Sequence, residues 1–405
     1  MKAITEHRRK GLEMNVVVVS ACRTAIGRHG GPLKTVNAVD LTIPVMQELI
    51  KRSGVDPGLI EDVIWGCNYQ KTFRENNLAR VAAVKAGLPV EVPGITVHRN
   101  CTSSMSSIQM AYYQIKAGDA EVLMAGGTDS MSNASYTIEQ MRWGSRIGHG
   151  EVRDSMWDSL TELGIGPAMG ITAENLAEKY AITREEQDEL ALLSHQRAIK
   201  AIDEGRFKDE IVPIEVVLKN KKVEVFDTDE HPRRDTTLEG LAKLKPAFKE
   251  GGTVTAGNAS GINDGAAGVL LMSESKAALL GVPVIARILG TVTAGLDPAI
   301  MGIGPVSATQ KALQKAGVVF DQVDLVEVNE AFAAQYLACE KVLGLNRDTT
   351  NVNGSGIALG HPVGCTGARI TTTLLYEMQK RGAAVGLATL CAGGGMGTAL
   401  VVARD

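Results

Sequence analysis

Two stretches of this chain, far apart in sequence, repeat each other. Residues 54–63 match residues 317–326 with identical spacing: each begins with Gly-Val, has an apolar residue followed by an acidic one near its end, and closes on Val. Residues 113–127 and 376–395 resemble each other more loosely. Such self-similarity is typical of a repeated structural unit. We therefore predict two similar halves, with a cleft where the ends of their strands meet.

Within each half, short apolar runs alternate with stretches of helical periodicity. Residues 16–20 and 95–98 are typical of strands, whereas 40–53 and 104–117 have helical spacing that ends close to a glycine. This alternation predicts βαβ units with mostly parallel strands. The chain has 44 glycines and only 4% aromatic residues, which favours tight strand-to-helix turns over a β-sandwich. The predicted fold class is α/β.

The predicted domain organisation follows from where this alternation stops. A chain of 405 residues is long enough for more than one subdomain. Residues 130–261 are rich in polar and charged side chains and hold one long helical run, so we predict an inserted loop domain there. It separates an N-terminal half over 14–129 from a C-terminal half over 262–405. Residues 1–13 are basic and lack the apolar core of a signal peptide, which predicts a simple N-terminal extension.

Charge and cysteine usage exclude several classes of protein. The formal net charge is −4, whereas a nucleic-acid binder carries a basic footprint. No apolar run is long enough to span a bilayer, so no membrane partner is expected. The six cysteines form no Cys-x-x-Cys pair that suggests a metal site, and a chain of this length needs no disulfides. Reduced thiols in the cytoplasm are the expectation.

Cys101 is the first candidate for chemistry. It stands in His-Arg-Asn-Cys-Thr-Ser-Ser, where a predicted strand runs into a predicted helix. The free N–H groups and dipole at a helix N-terminus favour the thiolate form of a nearby cysteine. Taken alone, however, the segment fits a buried structural cysteine equally well.

Three further motifs carry groups that can assist a nucleophile. His361 lies in a glycine-rich turn before a predicted helix and can act as a base, although an ordinary loop histidine fits too. Cys391 precedes three glycines, and such a turn exposes N–H groups that can hold an oxyanion or a phosphate. Asn329 follows a predicted strand, where an N-cap is the simpler interpretation. The small residues of 257–265 either form plain turns or let a long ligand pass close to the main chain.

Together, in this order and spacing, the motifs resemble the thiolase family over residues 14–405. The resemblance rests on Gly-Asn-Ala-Ser-Gly-Ile-Asn-Asp-Gly-Ala-Ala at 257–267, Asn-Glu-Ala-Phe-Ala at 329–333, Gly-His-Pro-Val-Gly-Cys-Thr-Gly-Ala at 360–368 and Cys-Ala-Gly-Gly-Gly-Met-Gly at 391–397. It implies a fold in which the two halves pack as a layered α-β-α-β-α core with an inserted loop domain.

The resemblance also implies catalytic roles. Cys101 would attack an acyl-CoA thioester and hold the acyl group, with His361 as its activator. Cys391 would remove a proton from the α-carbon of a second acyl-CoA. Asn329 would order a water that forms one oxyanion hole with His361, and the N–H groups of Cys101 and Gly393 would form the other.

The ligand implied is coenzyme A, entering as part of the substrate, with no permanently bound cofactor and no metal. Ser260 and Arg233 match positions that contact its pantetheine arm and nucleotide end. Ala256 is a further candidate for CoA binding, and Met169 would line the acyl pocket. The family resemblance predicts a homodimer or homotetramer, with residues 135–152 near where a tetramerising loop would fall.

The chain departs from the family pattern at a few positions near these motifs. His98 replaces the usual Asn, and Thr102 and Ser104 replace glycines after the nucleophile. Ala168 stands where biosynthetic members have a His, and Gly240 where a Ser is expected near the nucleotide. These changes leave the reaction class in place and bear on acyl chain length and preferred direction.

Four activities follow from the resemblance, and the first is preferred. An acetyl-CoA acetyltransferase comes before a longer-chain 3-oxoacyl-CoA thiolase, a decarboxylating ketoacyl synthase and a non-catalytic acyl-CoA- or lipid-binding protein. A decarboxylating synthase generates its carbanion without a second catalytic thiol, so Cys391 argues against it. The Thr102 and Ser104 departures motivate the binding-only alternative.

Overall fold

The computed structural model describes residues 14–70, 75–217 and 221–404, so the extension predicted over 1–13 lies outside it. The strands of the described chain are β1 (Val16–Thr24), β2 (Gly27–Arg28), β3 (Asp62–Gly66), β4 (Gly94–Val97), β5 (Val122–Ser130), β6 (Tyr136–Thr137), β7 (Arg153–Asp154), β8 (Ile211–Val212), β9 (Ile214–Val217), β10 (Val223–Phe226), β11 (Asn263–Ser273), β12 (Ala286–Gly295), β13 (Leu325–Val328), β14 (Val385–Ala392) and β15 (Met396–Ala403). Its α-helices are α1 (Ala38–Ser53), α2 (Leu78–Ala86), α3 (Ser103–Ala117), α4 (Ser155–Thr161), α5 (Met169–Lys179), α6 (Arg184–Asp203), α7 (Leu238–Ala242), α8 (Glu274–Leu280), α9 (Gly304–Ala316), α10 (Ala333–Leu343), α11 (Gly356–Leu359) and α12 (Thr366–Arg381).

The strands repeat one pattern twice. In the first half, β4, β3 and β5 are parallel neighbours, and β11 and β1 follow antiparallel. In the second half, a bridge at Thr350, β13 and β14 are parallel, and β15 and β12 follow antiparallel. The halves meet where β1 pairs with β12, through Val16 and Ile288, Val17 and Arg287, and Val18 and Ala286. The duplication predicted from sequence is confirmed.

The position of β11 changes the predicted boundary between the halves. The sequence assigns residues 262–405 to the C-terminal half, yet β11 lies between β1 and β5 of the first half. The pattern misled because β11 resumes the core directly after the insertion. By strand pairing, the first half extends to Ser273, and residues 130–261 are inserted within it, between β5 and β11, rather than between the halves.

Two helices form the middle layer of the molecule. Helices α3 and α12 contact each other, and each contacts strands from both halves. Outside the strands, α1 and α2 cover the first half, while α9, with α10 beside it, covers the second. This arrangement gives the α-β-α-β-α layering implied by the family resemblance.

The composition of the central helices explains their burial. Both are rich in Ser and Thr, whose hydroxyls bond within their own helix: Ser107 donates to the Ser103 carbonyl and Thr371 to the Gly367 carbonyl. A side chain that satisfies its own polar atom on the preceding turn can be buried at little cost. A Cβ at Gly367 would lie 2.6 Å from the backbone N of Met105, so only glycine lets α12 approach α3 this closely. The helices therefore begin side by side.

Candidate active site

Cys101 lies in the turn that opens α3. The preceding residue, Asn100, has φ +46°, a conformation that Asn tolerates better than most side chains. Backbone N–H groups of Cys101 itself and of Gly393 bond to the Cys101 sulfur. Among the six cysteines, all within the described residues, Cys101 alone is partly exposed and the others are buried.

The charge state of Cys101 differs from the sequence-based expectation. Burial is the largest influence and raises the pKa of the Cys101 thiol to about 11. The two N–H groups act in the opposite direction, and the charge of Asp129 raises the pKa further. The start of α3 therefore does not produce a resting thiolate, because the cost of desolvating the charge is larger than the gain from the donors. The resting group is a thiol.

His361 lies in the turn between α11 and α12, and α12 packs against α3, the helix that Cys101 precedes. It is buried, and its main-chain N–H donates to Asn263 Oδ1 at 3.0 Å. Burial first, and then the positive charge of Arg369, lower the pKa of His361 to about 3. The ring is therefore neutral at physiological pH and free to accept a proton.

Hydrogen bonds fix which ring nitrogen of His361 carries the proton. The Thr366 hydroxyl donates to the Pro362 carbonyl at 2.8 Å, so its oxygen accepts from His361 Nδ1 at 2.6 Å. Nδ1 then holds the hydrogen and Nε2 holds the lone pair. His361 Nε2 is buried without a protein partner in the described chain. The sequence did not identify Thr366, although its place five residues after the histidine was visible.

Asn329 follows β13 and shares the pocket with His361. Its main-chain N–H donates to the Thr389 carbonyl at 3.0 Å, and its carboxamide nitrogen lies 3.4 Å from His361 Nδ1. The side chain is fully buried, and Oδ1 has no protein partner among the described residues. A buried amide oxygen and a buried imidazole nitrogen that both lack a donor can accept hydrogen bonds from a bound water.

Cys391 lies near the end of β14, next in the sheet to the strand that Asn329 follows. The pKa of its thiol is raised well above the usual range, first by burial and then by the charge of Cys101. The amide nitrogen of Asn100, next to Cys101, lies 2.7 Å from the carbonyl oxygen of Gly393, two residues after Cys391, so the two thiols lie in one site. They do not ionise together readily. The structure thus brings together Cys101, His361, Asn329, Cys391 and Gly393.

An apolar wall adjoins the glycine turn after Cys391. A methyl group in place of the Gly393 hydrogen would lie 3.0 Å from Leu163 Cδ1 and 3.1 Å from Met169 Sδ. One on Gly394 would lie 3.5 Å from Ile165 Cδ1. Met169 was identified from sequence, whereas Leu163 and Ile165 were not. The sequence feature that could have identified them is the presence of two apolar residues in a polar insertion, just before Met169.

The remaining candidates lie on loops around this group. Ser260 donates its main-chain N–H to the Ala331 carbonyl at 2.9 Å, which ties it to the segment that carries Asn329. Ala256 and Arg233 are exposed, and no hydrogen bond of the described chain joins either to Cys101, His361 or Cys391. They are peripheral to the thiols, as the ends of a long ligand would require.

Two histidines that the sequence did not identify, the buried His195 and the partly buried His231, adjoin the Arg233 loop. The Arg233 main-chain N–H donates to His195 Nδ1 at 3.2 Å, and His231 Nδ1 lies 3.3 Å from Asn263 Nδ2. Burial is the main cause that lowers the pKa of each histidine to about 4. Both are therefore neutral at physiological pH and serve as hydrogen-bonding groups that hold this loop.

The unusual residues around Cys101 bond to the main chain. The Thr102 hydroxyl donates to the Arg99 carbonyl at 2.9 Å, and the Ser104 hydroxyl accepts from the Ala368 N–H at 2.9 Å. Both residues are fully buried. Ser104 therefore links the start of α3 to the start of α12, which brings the nucleophile and His361 together.

No helix in the described part of the chain is both long and apolar enough to cross a membrane.

Comparison with known proteins agrees with this geometry. The chain matches the family models "Thiolase, N-terminal domain" over residues 16–275 and "Thiolase, C-terminal domain" over 282–404. It is 52% identical to an acetyl-CoA acetyltransferase of Pseudomonas aeruginosa, over 96% of this chain and 100% of that protein.

Solved structures show the same fold. The crystal structure of a Bacillus anthracis acetyl-CoA acetyltransferase matches with a TM-score of 0.94 and 53% identity, over 96% of this chain and 98% of that one. A human mitochondrial 3-ketoacyl-CoA thiolase in complex with CoA matches with a TM-score of 0.93 and 45% identity, over 97% and 99% of the two chains. The chain described here belongs to the thiolase family.

Proposed function

We propose that this protein is an acetyl-CoA acetyltransferase, which joins two acetyl-CoA molecules into acetoacetyl-CoA and CoA and catalyses the reverse cleavage. The observation that carries the proposal is the meeting of two thiols, Cys101 and Cys391, with a neutral His361 and the buried amide of Asn329. The relatives named above as acetyl-CoA acetyltransferases support the choice of substrate.

In the first half-reaction, Cys101 takes the acetyl group. Its sulfur attacks the thioester carbon as its proton passes to His361 Nε2, which holds the free lone pair. Charge develops on the carbonyl oxygen, and the N–H groups of Cys101 and Gly393 stabilise it. The tetrahedral intermediate collapses, the bond to the CoA sulfur breaks, and that sulfur takes the proton from Nε2. Because both partners begin neutral, proton transfer accompanies attack rather than preceding it.

In the second half-reaction, Cys391 acts as the base. Acetylation removes the charge that Cys101 can carry, which is one of the causes that raise the pKa of Cys391. The Cys391 proton passes to His361 Nε2, and the thiolate then removes a proton from the α-carbon of the second acetyl-CoA. His361, with a water held by Asn329, binds the enolate oxygen. The enolate carbon attacks the acetyl group, Cys101 leaves as thiolate, and Nε2 returns the proton to it.

Coenzyme A is bound as part of each substrate and is not retained between turnovers. Ser260, which is tied to the segment that carries Asn329 through the Ala331 carbonyl, and Ala256 are proposed to contact the pantetheine arm. Arg233 is exposed, and its guanidinium suits the phosphates of the nucleotide end. Met169, Leu163 and Gly393 close the acyl end, which favours a short acyl group.

A 3-oxoacyl-CoA thiolase acting on longer chains is the second candidate. Ile165 is 56% exposed at the mouth of the apolar wall, so a longer chain has an apolar surface to follow. The likeness to the human 3-ketoacyl-CoA thiolase points the same way. Measured kcat/KM for 3-oxoacyl-CoA of increasing length separates the two, because the first candidate requires the highest value at acetoacetyl-CoA.

The protein is proposed to act as a homo-oligomer in the cytoplasm. Trp143 and Ile147, in the inserted segment, are 90% and 95% exposed. Exposed apolar side chains of this size are typical of a surface that another chain covers. Strand β4 is the last strand of the described sheet on its side, which leaves a backbone edge for a second copy. Sedimentation of the W143S/I147S variant tests whether the inserted segment is the contact.

Thiolysis of acetoacetyl-CoA by free CoA tests the function directly. We expect acetyl-CoA to form with the wild type and with Cys22→Ser, which changes a buried cysteine in the first half. We expect the Cys101→Ser variant to be inactive. A folded wild-type protein that cleaves no 3-oxoacyl-CoA of any length would contradict the proposal.

A further inference from the structure

The side chain of Asn100 bridges two groups at the nucleophile. Its Nδ2 lies 2.7 Å from the Gly393 carbonyl oxygen, and its Oδ1 lies 3.2 Å from His98 Nε2. Gly393 is also the residue whose N–H bonds to the Cys101 sulfur. Neither Asn100 nor His98 has a role in the reaction steps above.

Hydrogen-bond chemistry leaves one orientation for this bridge. A carbonyl oxygen only accepts, so the amide nitrogen of Asn100 must face Gly393. The amide oxygen then faces His98 and also only accepts, so His98 Nε2 must carry a hydrogen. The neutral ring with its hydrogen on Nε2 and the charged ring both satisfy this requirement. The bridge therefore does not depend on the charge of His98.

Asn100 governs both N–H donors at the Cys101 sulfur. The N–H of Cys101 belongs to the peptide that follows Asn100, so the left-handed backbone of Asn100 sets its direction. The N–H of Gly393 belongs to a turn in which Gly394 and Gly395 have φ of +85° and +81°. Glycine gives such a turn wide conformational freedom. The Asn100 amide limits that freedom by holding the Gly393 carbonyl.

We propose that Asn100 is the positioning residue of the oxyanion hole at Cys101, and that His98 fixes the orientation of its carboxamide. The proposal rests on the acyl-transfer function above for its kinetic consequence. Its structural consequence, the direction of two N–H groups at the Cys101 sulfur, holds without any substrate.

Two substitutions at position 100 separate the backbone role from the side-chain role. Asn100→Gly keeps easy access to positive φ and removes the amide. Asn100→Asp keeps the size but places a second acceptor against the Gly393 carbonyl. Removing one oxyanion-hole donor costs about 100- to 1000-fold in kcat. Because the donor is misdirected rather than deleted, we expect acetylation of Cys101 to slow by about 10- to 100-fold in N100G and by more in N100D.

Position 98 supplies a matched pair. His98→Gln keeps an N–H donor of similar reach, whereas His98→Ala removes it. We expect H98Q to acetylate within about twofold of wild type and H98A to be slower by about 3- to 10-fold, a fraction of the cost of losing a full donor. If both variants at position 100 fail to fold, the difference between H98Q and H98A decides, and equal rates for those two overturn the proposal.

Two readouts distinguish positioning from general damage. Single-turnover acetylation by acetyl-CoA, followed by mass spectrometry, should fall in N100G with little change in the KM for acetyl-CoA. Iodoacetamide alkylation of Cys101 should shift to higher pH in N100G, because the thiolate loses an N–H donor. A wild-type alkylation profile in N100G, or acetylation within twofold of wild type, overturns the proposal. Failure of acetyl-CoA to label the wild type would refute the proposed function instead, and the alkylation profile would still test Asn100.

Discussion

The two halves of the molecule each place a cysteine just before their central helix, yet the two cysteines differ. Cys101 precedes α3 and is partly exposed, and its sulfur meets two backbone N–H groups. Cys365 precedes α12 and is fully buried. Burial is the main cause that raises the pKa of Cys365, and among the described residues only the charges of Arg369 and Arg23, not a backbone N–H, act against it. A position before a helix therefore does not by itself make a nucleophile; access and aimed donors make the difference.

The residues at the ends of the strands also differ between the halves, although the strands themselves correspond. After β13 and near the end of β14, the second half carries Asn329 and Cys391. At the end of β5, the first half carries Asp129, whose carboxylate accepts the N–H groups of Asn68, Tyr69 and Gly364. At these strand ends, the first half thus holds the loop before α12 in place, whereas the second half supplies Asn329 and Cys391 to the site that holds Cys101.

The largest expected difference between the halves concerns the two cysteines. We expect Cys101→Ala to lower kcat by about 10⁴-fold or more, as loss of a covalent nucleophile does. Cys365→Ala should keep kcat within about threefold and lower the melting temperature, because it leaves a small cavity. Thiolysis kinetics and thermal unfolding measure the two effects. Equal losses of activity would remove the distinction drawn between the halves.

Replacing Asp129 should have opposite effects on the stability of the protein and on the reactivity of Cys101. Asp129→Asn replaces a buried charged acceptor of three N–H groups, so we expect a loss of about 1.5–3 kcal/mol in the free energy of unfolding. The charge of Asp129 raises the pKa of Cys101, so its removal should lower that pKa. Urea unfolding measures the first effect. Alkylation of Cys101 measures the second, and a shift to higher pH would contradict the electrostatic argument.

The smallest expected effect on stability concerns a hydrogen-bonding arrangement that both halves share. Glu61 accepts the N–H groups of Glu121 and Val122, and Asp324 accepts those of Ala384 and Val385. Glu61→Gln and Asp324→Asn should each cost about 0.5–1.5 kcal/mol of stability, equal within experimental error and without loss of activity. Markedly unequal costs would show that the duplication does not extend to these contacts.

Much of the fold could be predicted because the sequence shows both the repeated segments and the alternation of strand patterns with helix patterns. The matching spacing of 54–63 and 317–326 predicts the two halves. The boundary at 262 was wrong because β11 lies far from β1 in sequence and next to it in space. When two strands pair across a long insertion, no local pattern in the sequence reveals their pairing.

The sequence motifs predict which residues form the candidate site but not their charge states. The motifs identified Cys101, His361, Asn329 and Cys391, and the structure brings them together. The high pKa of the Cys101 thiol was not predictable, because it depends on burial, which sequence position near a helix does not reveal. The bridge through Asn100 was equally hidden, since its partner Gly393 lies in the other half.

The central claim is that the two thiols act in succession, with Cys101 holding the acetyl group and Cys391 moving the α-proton. Intact-mass and peptide mapping of Cys391→Ser after incubation with acetyl-CoA tests it most directly. We expect Cys101 to become acetylated in this variant while acetoacetyl-CoA formation falls by about 10²- to 10⁴-fold, the usual loss for a missing general base. Condensation at the wild-type rate, or no acetyl group on Cys101, would contradict it.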